Sequence, residues 1–293
     1  MAVKHSRFDR FLLSLNAIFL TLAVLVVVVP LVYIVVASFM DPTVLLNQGL
    51  SFKISDWSLE GYQMILSNPA MLRGFGNAVL YSTAFALLTV TVSVCAGYAL
   101  SENRLAGRHF FMTLFIITIF FGGGLIPTYL LVRELGMLNT VWAVIIPGAV
   151  NVWNIILSRT FFKGVPNELK EAANVDGASD MKIFVRIVLP LSKPIIFVLA
   201  LYAFVGQWNA FFDAMIYLDD PKLHPLQLVL RSILIQNQAA PGMISDQLAM
   251  AELKRLSEMI KYSAIVISSL PLLIMYPFFQ KYFEKGVMVG SLK

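Results

Sequence analysis

The chain has 293 residues, of which 58% are apolar and only 13% charged, and its mean hydropathy is +0.78. Soluble domains carry about 25% charged residues, so this composition excludes an ordinary water-soluble globule and points to a membrane protein. A formal charge of +5 and a pI near 9.3 would suit nucleic-acid binding, but the basic residues are distributed as membrane orientation requires, and no nucleic-acid partner is expected. The single cysteine, Cys95, excludes an intrachain disulfide and reads as a buried structural thiol.

Residues 1–10 are basic through Lys4, Arg7 and Arg10, and residues 11–40 then run without a charge. The apolar core of a secretory signal is about 7–15 residues. This longer run reads as a retained spanning helix, tilted or bent near Pro30. Residues 41–73 form a mixed polar segment with Trp57 and Tyr62, an external loop carrying an interfacial helix. Residues 77–100 are the second span, and 101–109 a tight turn with Arg104 and Arg108. The third span, 110–132, is interrupted by Gly122-Gly123-Gly124 and Pro127, which permit close helix approach or a local break. That triplet is no phosphate cradle, because no strand precedes it and no Lys-Ser/Thr pair follows. Residues 138–158 and 194–213 are the fourth and fifth spans, and 259–282 hold the sixth. Such lengths match a hydrocarbon layer of about 30 Å at about 1.5 Å per residue. The predicted fold class is all-α, a polytopic membrane protein with six transmembrane helices.

A polar stretch between the fourth and fifth spans has a shape of its own. Pro166 suits a first helical turn, where its missing N–H would be unpaired anyway. Residues 167–175 are mostly good helix formers. Gly177 accepts the left-handed conformation that ends a helix, and Asp176 tolerates the turn beside it. Ser179 or Asp180 then caps a second helix. That helix is expected to end at Leu189, since Pro190 disfavours helical backbone in the residue before it. Ile183, Phe184, Ile187 and Val188 share one of its faces, with Lys182 and Arg186 on another. The predicted object is a helix–Gly–helix elbow at a membrane surface; a solvated loop with a surface helix is the plainer alternative.

With the N-terminus inside, the inner segments 1–10, 101–109, 159–193 and 281–293 hold 14 of the 22 Lys and Arg in 67 residues. The bias satisfies the positive-inside rule and sets the elbow and both termini in the cytoplasm. Within the spans, Asn151, Asn154 and Ser158 fall on one helical face, and Gln207 and Asn209 flank Trp208. Amides facing lipid are costly, so these residues face either other helices or a watery cavity. No span carries a mid-membrane Asp, Glu, Lys or Arg. An ion-coupled secondary sugar transporter needs such a group or a broken-helix site at depth. A membrane-embedded transferase needs clustered acids or histidines, whereas His5, His109 and His224 are scattered. Adjacent Asp219 and Asp220 lack further ligands and read as a helix stop, so no metal site is expected.

Glu171-Ala172-Ala173, three residues, Gly177, nine residues, Ile187, one residue and Leu189-Pro190 match without a gap the EAA signature of membrane subunits of ATP-binding-cassette importers. The chain resembles the carbohydrate-type permeases of that family from about Trp57 to its end, also through Gly123-Gly124-Leu125-Ile126-Pro127-Thr128-Tyr129 and Trp208-Asn209. The subgroup it looks like handles oligosaccharides cut from polysaccharides, alginate among them. The resemblance implies a type I importer permease in a bacterial cytoplasmic (inner) membrane. Its coupling helix at 166–190 would seat in a cleft on a separate ATPase, with Glu171 pairing with a basic residue there. It implies as partners a second homologous permease, two ATPase subunits and an extracytoplasmic solute-binding protein. ATP and Mg would be bound by the ATPases and no cofactor by this chain. Implied site residues are Glu171, Ala172, Ala173, Asp176, Gly177, Ile187, Leu189 and Pro190 for coupling, and Asn151, Asn154, Gln207, Trp208 and Asn209 along the pathway. Residues 279–293 resemble the Gly-containing tail of maltose-type second permeases, which enters the ATPase dimer interface, so Gly286, Gly290 and Lys293 become ATPase contacts. The family's usual final Gly is absent, and a frayed basic tail is the alternative. The expected division is an N-terminal helix and external loop at 1–70, a permease core at 71–282 and a tail at 283–293.

Overall fold

The computed structural model describes residues 6–236 and 247–290. Among these residues every regular element is helical, apart from one isolated antiparallel bridge between Met40 and Trp57. α1 (Arg7–Ser38) opens on a capping box: the Ser6 hydroxyl accepts the Asp9 N–H at 3.1 Å, and the Asp9 carboxylate accepts the Ser6 N–H at 2.9 Å. α2 (Pro42–Gln48) and α3 (Glu60–Ser67) lie in the segment expected to be a loop with a helix. α4 (Pro69–Ser101) follows, then α5 (Arg108–Phe120) and α6 (Leu125–Glu134). α7 (Trp142–Ile145) and α8 (Val152–Lys163) precede α9 (Asn167–Val175) and α10 (Asp180–Ile183). A π-helical turn, Phe184–Val188, joins α10 to α11 (Leu189–Leu191), and α12 (Lys193–Asn209) follows. α13 (Phe212–Tyr217), α14 (Leu226–Gln236) and α15 (Gln247–Gly290) complete the set.

Three segments, α1, α4 and Ser257–Gln280 of α15, are each long and apolar enough to cross a membrane. Two bent pairs, α5 with α6 at 113° and Asp180–Leu191 with α12 at 77°, raise the number among the described residues to as many as five if each pair is one span. Two of the six expected spans are interrupted. The third breaks at its glycine triplet, where Gly124 takes φ +84°. The fourth, expected over 138–158, is divided. α7 stops short of Pro147, which lacks a donor, and α8 starts after Asn151, whose side chain accepts the Asn154 N–H at 3.0 Å.

The chain divides into two units, Met1–Asn68 with Ser232–Ser269 and Pro69–Arg231 with Leu270–Lys293. In the first unit, α1 exposes its apolar length and is anchored at its C-terminal end, where Ala37, Met40 and Leu45 pack with Tyr262. A Cβ on Gly61 of α3 would stand 2.4 Å from Ser263 Oγ of α15, so those helices meet where there is no side chain.

In the second unit α4 is the post against which α8 and α12 pack. The α4–α8 crossing is set by Gly97: a Cβ there would lie 2.5 Å from Ser158 Cβ and 2.9 Å from the Arg159 amide nitrogen. Small residues at crossings are how apolar helices approach each other in lipid. Arg159 Nε donates to the Leu100 carbonyl at 3.1 Å, placing a cation at the C-terminal end of α4. At the other end, Asn77 Nδ2 donates to the carbonyls of Lys222 and His224, and Tyr81 Oη to that of Leu223. Asp220 caps the short turn Pro221–Leu223 through the Lys222 N–H, and Asn139 accepts the N–H groups of Asp219 and Asp220. Cys95 is exposed on α4 rather than buried, which corrects the expectation for the thiol.

Candidate functional site: an elbow and a cavity

Local chemistry builds the elbow between α9 and α10. α9 ends in a Schellman motif: the Gly177 N–H bonds the Asn174 carbonyl at 3.0 Å and the Ala178 N–H bonds that of Ala173 at 2.9 Å. Gly177 sits at φ +72°, as the turn requires. Pro166 proves to be the residue before the first helical turn, and Ser179 rather than Asp180 caps α10 by accepting the Lys182 N–H.

The second arm departs from expectation twice. It does not stop at Leu189 but continues through Pro190 to Leu191 before bending at Ser192. The π turn explains this: its looser ladder bonds the Leu189 N–H to the Phe184 carbonyl, so the rule that Pro190 ends a regular α-helix does not apply. Nor does the apolar face meet a membrane surface. Ile183, Phe184 and Val188 are buried against Val94, Phe162 and Leu199, with Ala173, Ala178, Ile187 and Leu189 packed at the margin.

α9 has two faces. Glu168, Glu171 and Val175, at i, i+3 and i+7, are exposed, as is Ala172. Lys170 and Ala173 turn toward the rest of the chain. Lys170 Nζ donates to Glu102 Oε1 at 2.5 Å and lies 5.6 Å from the centroid of the Tyr98 ring. Tyr98 in turn stacks on Phe184 at 4.5 Å and meets Phe162 edge-on at 5.9 Å. Tyr98, Glu102, Phe162 and Lys170, together with Glu171, line a cleft of about 610 Å³ between the α4–α5 turn and the elbow.

A second cavity, of about 310 Å³, is lined by Phe85 and Thr89 of α4, Asn151, Asn154 of α8, and Tyr202, Ala203, Gly206 and Gln207 of α12. Asn151, Asn154 and Gln207 are thus brought together, although Asn151 caps α8 instead of sitting inside it. Gln207 Nε2 also donates to the Val144 carbonyl at 3.3 Å. Trp208 lies beside the cavity in the core, 1% exposed, between Phe75 and Phe204. Asn209 is exposed and bonds back to the Val205 carbonyl. Sequence reasoning missed Tyr202 and Gly206, which share the Gln207 side of α12 and were legible by projecting that helix onto a wheel. It also missed Phe85 and Thr89, which only the packing of α4 reveals. Gly286 lies in α15 and Gly290 ends it, while Lys293 lies outside the described residues. Among the described residues no cluster of His, Cys, Asp and Glu could hold a metal ion.

A family model described as "Binding-protein-dependent transport system inner membrane component" matches residues 105–289, which include the elbow and most of the cavity. The chain belongs to that family. The permease is 37% identical over 280 residues to Protein LplC of Bacillus subtilis (strain 168), covering 95% of this chain and 93% of that protein. It is 35% identical over 291 residues to the polygalacturonan/rhamnogalacturonan transport system permease protein YtcP of the same organism, covering 99% and 100%. A solved structure described as "Crystal structure of a bacterial ABC transporter involved in the import of the acidic polysaccharide alginate" matches with TM-score 0.84 and 30% identity, over 96% of this permease and 100% of that chain. The permease is therefore a transport subunit of an ATP-binding-cassette importer and not an enzyme; ATP hydrolysis lies in separate subunits.

The elbow turn permits a direct check. Nothing lies within 4 Å of a Cβ built on Gly177, so the cost of a substitution there is conformational. Left-handed backbone costs about 1–2 kcal/mol for an ordinary side chain, roughly a five- to thirtyfold rise in the opened population. Gly177→Val is expected to raise proteolysis of the elbow by that factor, while Gly177→Asn, which tolerates positive φ, stays near the parent rate.

Proposed function

We propose that this permease forms one half of an alternating-access pathway for an oligosaccharide released from an acidic polysaccharide, and that the α9–α10 elbow is its coupling helix. The observation that carries the reading is the two-faced α9, joined to its own chain through Lys170 and Ala173 while Glu168, Glu171 and Val175 face outward. An outward face both acidic and apolar suits a basic-rimmed cleft on an ATPase subunit, in which Glu171 pairs with a cation. Ala172, Asp176 and Gly177 give that face its shape, Ala173 packs α9 against its own chain, and Ile187, Leu189 and Pro190 belong to the second arm.

The partners are a second homologous permease, two ATPases that bind ATP and Mg, and an extracytoplasmic solute-binding protein. The Lys and Arg bias favours a cytoplasmic elbow and cytoplasmic termini in the inner membrane. Within the chain, 1–70 would serve as an N-terminal anchor and external loop, 71–282 as the permease core and 283–293 as the tail. In that tail Gly286, Gly290 and Lys293 would approach the ATPases.

Asn151, Asn154 and Gln207 offer amides for sugar hydroxyls, and Tyr202, 59% exposed, offers a ring face for a pyranose. Trp208 and Asn209 support that wall from behind and from its end. The names of YtcP and of the alginate importer support an acidic oligosaccharide over a neutral one. No charged side chain lines the cavity among the described residues, so on this reading the carboxylates meet their cations elsewhere in the complex. Proteoliposomes bearing the complete complex are expected to accumulate trigalacturonate against unlabelled maltotriose without competition. Accumulation of maltotriose at an equal rate would overturn the acidic assignment.

A further inference from the structure

α9 contains no buried residue, whereas its neighbour arm is anchored by Ile183, Phe184 and Val188. Ala173 packs only at the margin of that cluster, so a push delivered to Glu171 would tend to swing α9 about the Gly177 turn unless a polar tie also held it. Lys170 supplies that tie, with its side chain 12% exposed. We propose that Lys170 and Glu102 form a strut that makes the elbow one rigid piece with α4 and so carries ATPase motion to the cavity. This rests on the coupling role of the elbow proposed above.

The geometry closes a triangle. α9 reaches the end of α4 through Lys170–Glu102, and Lys170 also lies over Tyr98, one turn earlier on α4. The second arm reaches the same ring through Phe184. Both arms thus converge on the C-terminal end of α4, at Tyr98 in its last turn and Glu102 just beyond it. From Tyr98, α4 runs back without interruption to Thr89 and Phe85 on the cavity wall. At about 1.5 Å per residue this lever is roughly 14–20 Å long. An ion pair half-shielded by an aromatic ring resists displacement better than an open one, because less water screens it. Lys170 and Glu102 are positioning residues in this scheme and touch no transported sugar.

The test uses the complete complex in proteoliposomes, with Cys95→Ser and a reporter cysteine at Gly206, a cavity position with nothing within 4 Å of its Cβ site. Maleimide labelling of the reporter is compared without nucleotide and after trapping with MgATP and orthovanadate. With the strut intact the labelling rate is expected to change about tenfold, the scale of an ordinary coupling between sites. Lys170→Glu and Glu102→Lys should each reduce that change to about twofold or less at unaltered complex yield, and the double exchange should restore it. Single reversals that keep the full response, or a double exchange no better than either single, would overturn the strut. So would a loss of complex yield that accounts for the lost response, since the pair would then hold the fold and carry no motion. A Glu171→Ala control separates the two proposals: if it too keeps the full response, the coupling role of the elbow falls. If it abolishes the response while both reversals keep it, the elbow stands and only the strut falls.

Discussion

Glu171→Ala is expected to leave the permease inserted in the membrane while cutting uptake at least about a hundredfold. Glu171 is exposed on this chain, so its removal costs the isolated subunit little. In the assembled importer the proposed partner is a basic side chain in a closed cleft, where orphaning one member of a buried ion pair costs about 3–5 kcal/mol. Each 1.4 kcal/mol is about a factor of ten, hence the expected magnitude. A charge that stayed in water would contribute under about 1 kcal/mol and change uptake by less than about fivefold. Measuring uptake and binding-protein-stimulated ATP hydrolysis side by side distinguishes these cases. A fall below fivefold in both would make Glu171 an ordinary surface charge.

Gly97→Leu is expected to abolish accumulation of folded subunit. Even a methyl group at position 97 would lie 2.5 Å from Ser158 Cβ, 2.9 Å from the Arg159 nitrogen and 3.2 Å from the Ile155 carbonyl oxygen. Two of those atoms are backbone, so no rotamer change relieves the clash and α4 and α8 must separate. Overpacking a core ordinarily costs about 1–3 kcal/mol, but separation here would also disturb the Arg159–Leu100 bond and the packing of Ile155, which is fully buried. Detergent-solubilised yield on size exclusion reports the outcome. Gly76→Leu, on the same helix with nothing within 4 Å, is the matched control and should accumulate normally.

The elbow was legible because every signal in it is local. A left-handed glycine, a capping serine and a charged stretch between apolar runs act over distances of a few residues, and the backbone obeys them. Pro190 misled because the rule for proline assumes a regular α-helical ladder, and a π turn is not marked in composition. The apolar face of the second arm had the right periodicity but the wrong recipient: spacing says that Ile183, Phe184 and Val188 share a side, not whether lipid or Leu199 covers it. Position 102 is 68 residues from Lys170, and nothing in either residue's neighbourhood announces the pairing. The same limit explains the cavity. Three amides were identifiable as polar groups in apolar surroundings, while the phenylalanine and threonine that complete the wall look like any other span residues.

The fracture between α5 and α6 constrains what surrounds it. The helical ladder stops at the Phe121 N–H and resumes with the Thr128 N–H on the Gly124 carbonyl, Pro127 has no N–H to give, and no side chain caps the start of α6. Peptide groups left bare in oil cost several kcal/mol each. This corner of the permease is therefore closed to hydrocarbon: annular lipid must be held off it by moisture or by another polypeptide.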